Sequence, residues 1–291
     1  MSEGNWVKIQ IEKDGIYKLT YSELKKMGFV DPSKVAVFGY GGWPLEEDFT
    51  LPYVDDLPAV PVLRKDDYIL FYGRGTTKWK YREVSYSYLD KLHTFIHTNN
   101  PYSEHDYYYL TDGVNPIDPE VIRRMPKTTG LRIETFDDHL LHEKDLMSIN
   151  KSGRKLYERI VGKSQVFKDL GDPNALGVVE GRVFADCGFV TYSTMGKITL
   201  SLDKNIVASG TVNSTELKEY VKGIEQNLVG EYIYKSGENL NVKIDCEGLN
   251  ALNAKAYLDY IRLNVKRRLK VYDEPFTFFA LSILRGRFPN L

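Results

Sequence analysis

The chain has 291 residues, enough for one large domain or two ordinary ones. Hydrophobic residues make up 42%, so a packed core needs neither disulfides nor metals. A net charge of -1 gives no broad basic field, which argues against nucleic acid as a partner. Aromatic residues make up 13%, and 21 residues are Tyr. A strand-rich fold and a half-apolar, half-wet binding face both account for that excess. No run of roughly 18 apolar residues is present, so no transmembrane helix is expected. Met1-Ser2-Glu3-Gly4-Asn5-Trp6 runs straight into a strand pattern without a signal-peptide signature. The chain is therefore expected either to be cytoplasmic or to have lost a leader.

The first block, 1–125, reads as a β-rich domain with one short helix. Trp6 to Ile11 alternates, Asp14-Gly15 is a turn signal, and Ile16-Tyr17-Lys18-Leu19 resumes the pattern, which predicts a hairpin. Thr20-Tyr21-Ser22-Glu23 is a capping box, in which the Thr20 oxygen meets helix amides and Glu23 reaches back. Gly28 should stop that helix by taking the left-handed C′ conformation. Val35 to Gly39 and Asp67 to Gly73 read as strands, with a proline-interrupted irregular stretch over 41–65 between them. Trp79 to Tyr81, Thr94 to His97 and Asp106 to Thr111 continue the strand pattern. Residues 126–155 are expected to form a connecting arm, with a short helix near Thr135 to Glu143.

The second block, 156–272, shows short strand-like runs separated by turn residues, the rhythm of a β-sandwich of the jelly-roll kind. The fold class is thus mainly β. Tyr257, Ile261 and Leu263 should share one face by simple alternation, and Asp259 falls on that face too, bracing a neighbouring loop. Residues 273–291 read as a strand cut off early, a truncated tail.

Chemistry-bearing patterns are sparse. Cys187 and Cys246 are too few for a zinc finger or a CxxC pair. Bridged, they would close a long loop, worth roughly 4 kcal/mol; unbridged, they are two buried thiols. Both states remain open. Nucleophilic catalysis would need one of them beside a His base, drawn from His93, His97, His105, His139 and His142. Neither cysteine sits at a strand-to-helix elbow, and His93 and His97 fall on a strand, so those two histidines are expected to be solvated. Gly39-Tyr40-Gly41-Gly42 and Gly73-Arg74-Gly75 lack the continuation of a phosphate loop and read as turns. The acidic pairs Asp55-Asp56 and Asp66-Asp67 lack calcium-loop spacing. No catalytic residue, cofactor site or metal site is nominated. Trp43, Trp79, Tyr86 and Tyr88 form a candidate aromatic contact surface of the kind that stacks on sugars.

Three ordered segments together carry a resemblance. They are Gly4 to Leu19 with Val37-Phe38-Gly39-Tyr40-Gly41-Gly42; Asp67 to Gly73 with His97 to Ser103 and Tyr107 to Thr111; and His142-Glu143-Lys144-Asp145 with Ser152-Gly153-Arg154. Over roughly 4–272 the chain resembles the region ahead of the peptidase domain in type IX secretion sortases, gingipain-like cysteine peptidases of Bacteroidetes-type bacteria. The resemblance implies an exported protein of the periplasm or outer-membrane surface. It implies a non-catalytic accessory role, because the family's catalytic Cys and His lie in a later α/β domain. The implied partners are the peptidase domain in cis, secretion-system subunits or cargo. After Ser152-Gly153-Arg154 the family pattern has Trp or Phe followed by a Tyr-Gly-Glu run, whereas this chain has Lys155-Leu156-Tyr157-Glu158-Arg159. The alternative reading is a stand-alone cell-surface adhesin or carbohydrate-binding β-sandwich with a glycan as partner. Thiol-dependent activity separates enzyme from accessory region, and a glycan screen separates accessory region from adhesin.

Overall fold

The computed structural model describes residues 4–51, 56–84, 92–120, 133–149, 151, 153–192, 196–212, 223–249 and 255–270. The chain divides into two compact units, Met1–Gly130 and Leu131–Leu291. Among the described residues no helix is long and apolar enough to cross a membrane. The tail expected at 273–291 lies outside the described residues.

The first unit holds β1 (Trp6–Ile11), β2 (Gly15–Thr20), α1 (Tyr21–Lys26), a 3-10 turn (Pro32–Lys34), β3 (Ala36–Phe38), β4 (Ala59–Val60), β5 (Val62–Arg64), β6 (Tyr68–Gly73), β7 (Thr77–Val84), β8 (Leu92–Asn99) and β9 (Asp106–Thr111). Three antiparallel sheets result, in the orders β1-β9-β3-β4, β2-β6-β5 and β7-β8. The hairpin expected between β1 and β2 does not form. The two strands leave the Asp14-Gly15 turn for different sheets, and Asp14 accepts a hydrogen bond from the Gly75 N–H at 2.6 Å instead. A distant loop has outcompeted the local turn.

The helix obeys its local signals. Glu23 N–H donates to Thr20 Oγ1 at 3.2 Å, and Thr20 N–H donates to Glu23 Oε2 at 2.8 Å. Gly28 takes φ +99, Gly28 N–H reaches Lys25 O and Phe29 N–H reaches Leu24 O, a Schellman stop. Leu24 and Phe29 are both buried in the unit's core beside Ile11, Ile69, Tyr108 and Leu110.

The second unit holds β10 (Thr135–Glu143), β11 (Glu158–Arg159), β12 (Ser164–Phe167), β13 (Gly181–Tyr192), β14 (Gly196–Leu202), β15 (Asn205–Val212), β16 (Ile224–Tyr234), β17 (Val242–Glu247) and β18 (Lys255–Arg268). One sheet runs β10-β18-β13-β16, with β11 also pairing β18; the other runs β12-β17-β14-β15. Alternate residues of both enter one core: Val183, Ala185, Cys187 and Phe189 on β13, Ile198, Leu200 and Leu202 on β14, Val242, Ile244 and Cys246 on β17. This is the β-sandwich that the second block's rhythm predicts.

Two expectations fail here for nameable reasons. The stretch Thr135 to Glu143 is a nine-residue strand, not a short helix. Its polar residues find partners across the ladder: Asp137 meets Lys266 at 3.0 Å and Asp138 meets Arg267 at 2.5 Å. Simple alternation also fails in β18. Gly188 pairs with Tyr260 but Phe189 pairs with Leu258, so Asp259 is the extra residue of a β-bulge. The bulge resets the phase. Ala256 and Leu258 join Ile261 and Leu263 in the sandwich core, while Tyr257 packs with Tyr157 and Val190 in a separate cluster.

The sandwich also depends on a close approach between strands of its two sheets. A Cβ at Gly230 of β16 would lie 2.1 Å from the Val207 carbonyl oxygen of β15. That contact is with backbone, which cannot swing aside. Gly230→Ala is therefore expected to cost about 1–3 kcal/mol. Urea denaturation reads this as a lower midpoint; an unchanged midpoint contradicts the packing argument.

Candidate functional site

A buried polar cluster of the second unit surrounds His142, near the end of β10. Its side chain is buried, with 2% exposed. Nδ1 lies 2.6 Å from Asp169 Oδ2 and Nε2 lies 2.7 Å from Glu158 Oε2. Phe167 packs edge-on against the ring at 4.7 Å, and Lys144 Nζ stands 4.0 Å from Asp169. Filling both hydrogen bonds takes two protons shared among the three groups. With both ring nitrogens engaged, no lone pair is left for general-base work or metal binding. The cluster ties β10 to β11 and to the segment after β12. His105 is exposed; His97 packs against Trp79, with ring centres 5.3 Å apart. The His93 side chain lies outside the described residues.

A second polar group lies along β13 and β18. Arg262 donates to Asp186 directly across the ladder, and both side chains are only 6% exposed. Tyr260 OH adds a hydrogen bond to the other Asp186 oxygen at 3.1 Å. Sequence reading missed this pair. Its signal was a charge at position 186 inside the otherwise apolar run Val183 to Phe189. Asp259, displaced by the bulge, faces Lys155 at 3.9 Å, and Lys155 also holds Glu225 at 2.7 Å. Burial pushes the Asp259 carboxyl up to about 6; Lys155 pulls it down, and Glu143 and Glu225 push it further up. The bracing role expected for Asp259 takes this form.

Cys187 on β13 and Cys246 on β17 stand as free thiols at 0% exposure in the sandwich core. Burial pushes the Cys187 thiol well above its ordinary value and Cys246 up to about 11. Thiols held protonated in this way are inert rather than nucleophilic. Among the described residues no group of three or more His, Cys, Asp or Glu could hold a metal ion.

In the first unit the two glycine-rich segments meet. Gly42 N–H donates to Arg74 O at 3.1 Å, and a Cβ at Gly42 would lie 2.7 Å from the Gly75 carbonyl oxygen. Asn100 Nδ2 donates to Gly42 O at 2.9 Å, and Arg74 N–H donates to Tyr108 OH at 3.0 Å. The glycines permit backbone to pack on backbone, which is a structural use. Beside them the Trp43 ring carries the Arg74 guanidinium at 4.6 Å and the Lys78 ammonium at 5.3 Å. Trp43 and Trp79 are thus each engaged with protein side chains. Tyr86 and Tyr88 lie outside the described residues. Asp106 packs against Gly42, its Oδ2 is buried without a hydrogen bond, and burial pushes its carboxyl up to about 6.

No protein-family model matches the chain, and no curated protein matches it. Among solved structures it is similar to dimeric latent PorU from Porphyromonas gingivalis, with a TM-score of 0.82 and 28% identity over 98% of this chain. The fold is PorU-like. This chain spans 26% of the length of that PorU chain. Similarity to the VP2 subviral particle of infectious bursal disease virus reaches a TM-score of only 0.23 at 12% identity, covering 92% of this chain and 73% of that one. A score that low carries no argument.

Two outcomes follow from the geometry. His142→Ala leaves Glu158 and Asp169 facing each other without their bridge, and is expected to cost about 2–4 kcal/mol of second-unit stability. Chemical denaturation measures this, and a cost below the usual scatter of surface substitutions contradicts the bridge. Asp106 has a folded pKa above its ordinary value of 3.8, so its contribution is complete below that pH and is lost as pH rises through about 6. Asp106→Asn should therefore gain stability over the parent above neutrality, by ~1 kcal/mol after screening, and the gain should vanish in acid. Thermal melts on either side of that range check the sign.

Proposed function

We propose that this chain is the non-catalytic accessory region of a gingipain-like type IX secretion sortase, corresponding to the part ahead of the peptidase domain. The observation that carries the proposal is the similarity to PorU, a type IX sortase, along 98% of the chain while spanning 26% of PorU. The ordered segments from Gly4 to Arg154 support the same reading. The buried, protonated thiols favour a role without nucleophilic chemistry. On this reading the protein is exported and works at the periplasm or outer-membrane surface. Its partners are a peptidase domain and secretion-system subunits or cargo.

The test pairs this chain with a separately produced gingipain-like peptidase domain from the same source. Analytical ultracentrifugation should show a stable complex, and the chain alone should hydrolyse no peptide in the presence of reductant. Thiol-dependent hydrolysis by the chain that Cys187→Ser or Cys246→Ser abolishes would overturn the non-catalytic role. Absence of any association would overturn the accessory role.

A further inference from the structure

The second unit carries an open groove of about 510 Å3 whose walls come from three separate segments. One wall is the two-residue turn Asp203-Lys204 between β14 and β15. Asp203 adopts φ 51 there, and its N–H donates to Asn241 O at 2.8 Å. That bond fastens the turn to the second wall, the connection from β16 to β17. The third wall is the pair Val166 of β12 and Lys243 of β17.

Tyr232 stands in this groove in a fixed pose. Its hydroxyl donates to Glu238 Oε2 at 2.6 Å and accepts from Asn205 Nδ2 at 3.2 Å. Lys235 N–H donates to the same Glu238 oxygen at 3.0 Å. The hydrogen bond from Tyr232 and the Lys235 backbone hold the Glu238 carboxyl below its usual range. Asn239 and Asn241 line the groove too, and their side-chain amides make no hydrogen bond among the described residues. Each free amide offers a donor and an acceptor side by side.

Charge decides between ligand classes. Asp203 and Glu238 are opposed by Lys204 and Lys243, and Lys243 is itself paired with Asp245 at 2.8 Å. The groove therefore presents neither the cationic field that holds a phosphate nor the concentrated negative charge that holds a metal ion. It presents unspent amides, carboxylate oxygens and a rigid aromatic ring beside an exposed Val166. Hydroxyl groups that both donate and accept, on a ring with an apolar face, are the complementary chemistry. We propose that this groove binds a neutral carbohydrate, with Asn239 and Asn241 reading hydroxyl pairs. The site lies away from Trp43 and Trp79 in sequence and belongs to the second unit alone. It stands apart from the accessory reading, and either can fail without the other.

The test titrates the full chain with neutral trisaccharides (maltotriose, cellotriose, mannotriose and N-acetylchitotriose) by NMR shift mapping. Inorganic phosphate and calcium serve as charged comparisons. At least one sugar should bind at millimolar concentration and perturb the amides of Asn205, Tyr232 and Asn241. The Asn239→Ala/Asn241→Ala double variant should weaken it roughly tenfold with no change in melting temperature. Trp79→Ala should bind as the parent does. The proposal is overturned if none of the sugars binds, if the double variant binds as tightly as the parent, or if phosphate or calcium occupies the groove in their place.

Discussion

The second unit depends on one inserted residue. Strand β18 is 14 residues long and pairs with β10, β11 and β13, so its phase sets what every neighbour can bury. Strict alternation from Ile261 and Leu263 would drive Asp259 and Tyr257 into the sandwich core. Burying an unpaired carboxylate there costs several kcal/mol. The bulge at Asp259 removes that cost in one step. It sets the carboxyl beside Lys155, returns Ala256 and Leu258 to the core, and gives Tyr257 a second cluster with Tyr157. The two halves of β18 then serve the same core from opposite phases.

Buried polar groups choose among registers that the apolar pattern leaves nearly equal. Asp186 and Arg262 sit directly opposite one another on β13 and β18. A slip of β18 by two residues would keep every apolar side chain on its face but separate the pair. Such a pair adds little net stability over an apolar one, but breaking it is expensive, so it penalises wrong pairings more than it rewards the right one. His142 does the same between β10, β11 and the segment after β12, where short strands alone would hold register weakly.

What the sequence reveals and what it hides divides along range. The capping box at Thr20 and Glu23 and the stop at Gly28 are decided within about two helical turns, and they form as read. The strands of the sandwich follow from alternation and turn residues, with ends within a few positions. The stretch 41–65, read as irregular, holds β4 and β5, and β5 pairs with nearby β6; the other misreadings involve distant partners. Asp14-Gly15 looks like a hairpin turn until Gly75, 61 residues away, claims the Asp14 carboxylate. Thr135 to Glu143 looks too polar for a strand until Lys266 and Arg267 stand across from it. The site of His142 gives no local sign, because Glu158 and Asp169 converge on it from 16 and 27 residues further on.

The same contrast separates structural polarity from polarity open to a ligand. His142, Asp186 and Arg262 are polar side chains whose hydrogen-bonding groups are met largely by other side chains in the fold. The thiols of Cys187 and Cys246 are closed to chemistry by burial. Trp43 and Trp79, which composition alone would offer as a binding face, are engaged with Arg74, Lys78 and His97. Where the turn at Asp203 meets the segment before β17, fixed backbone carries amides with no internal partner. Rigid support with unspent hydrogen-bonding capacity is what a binding surface requires, and a sandwich whose register is set elsewhere can vary such a surface without risk to its core.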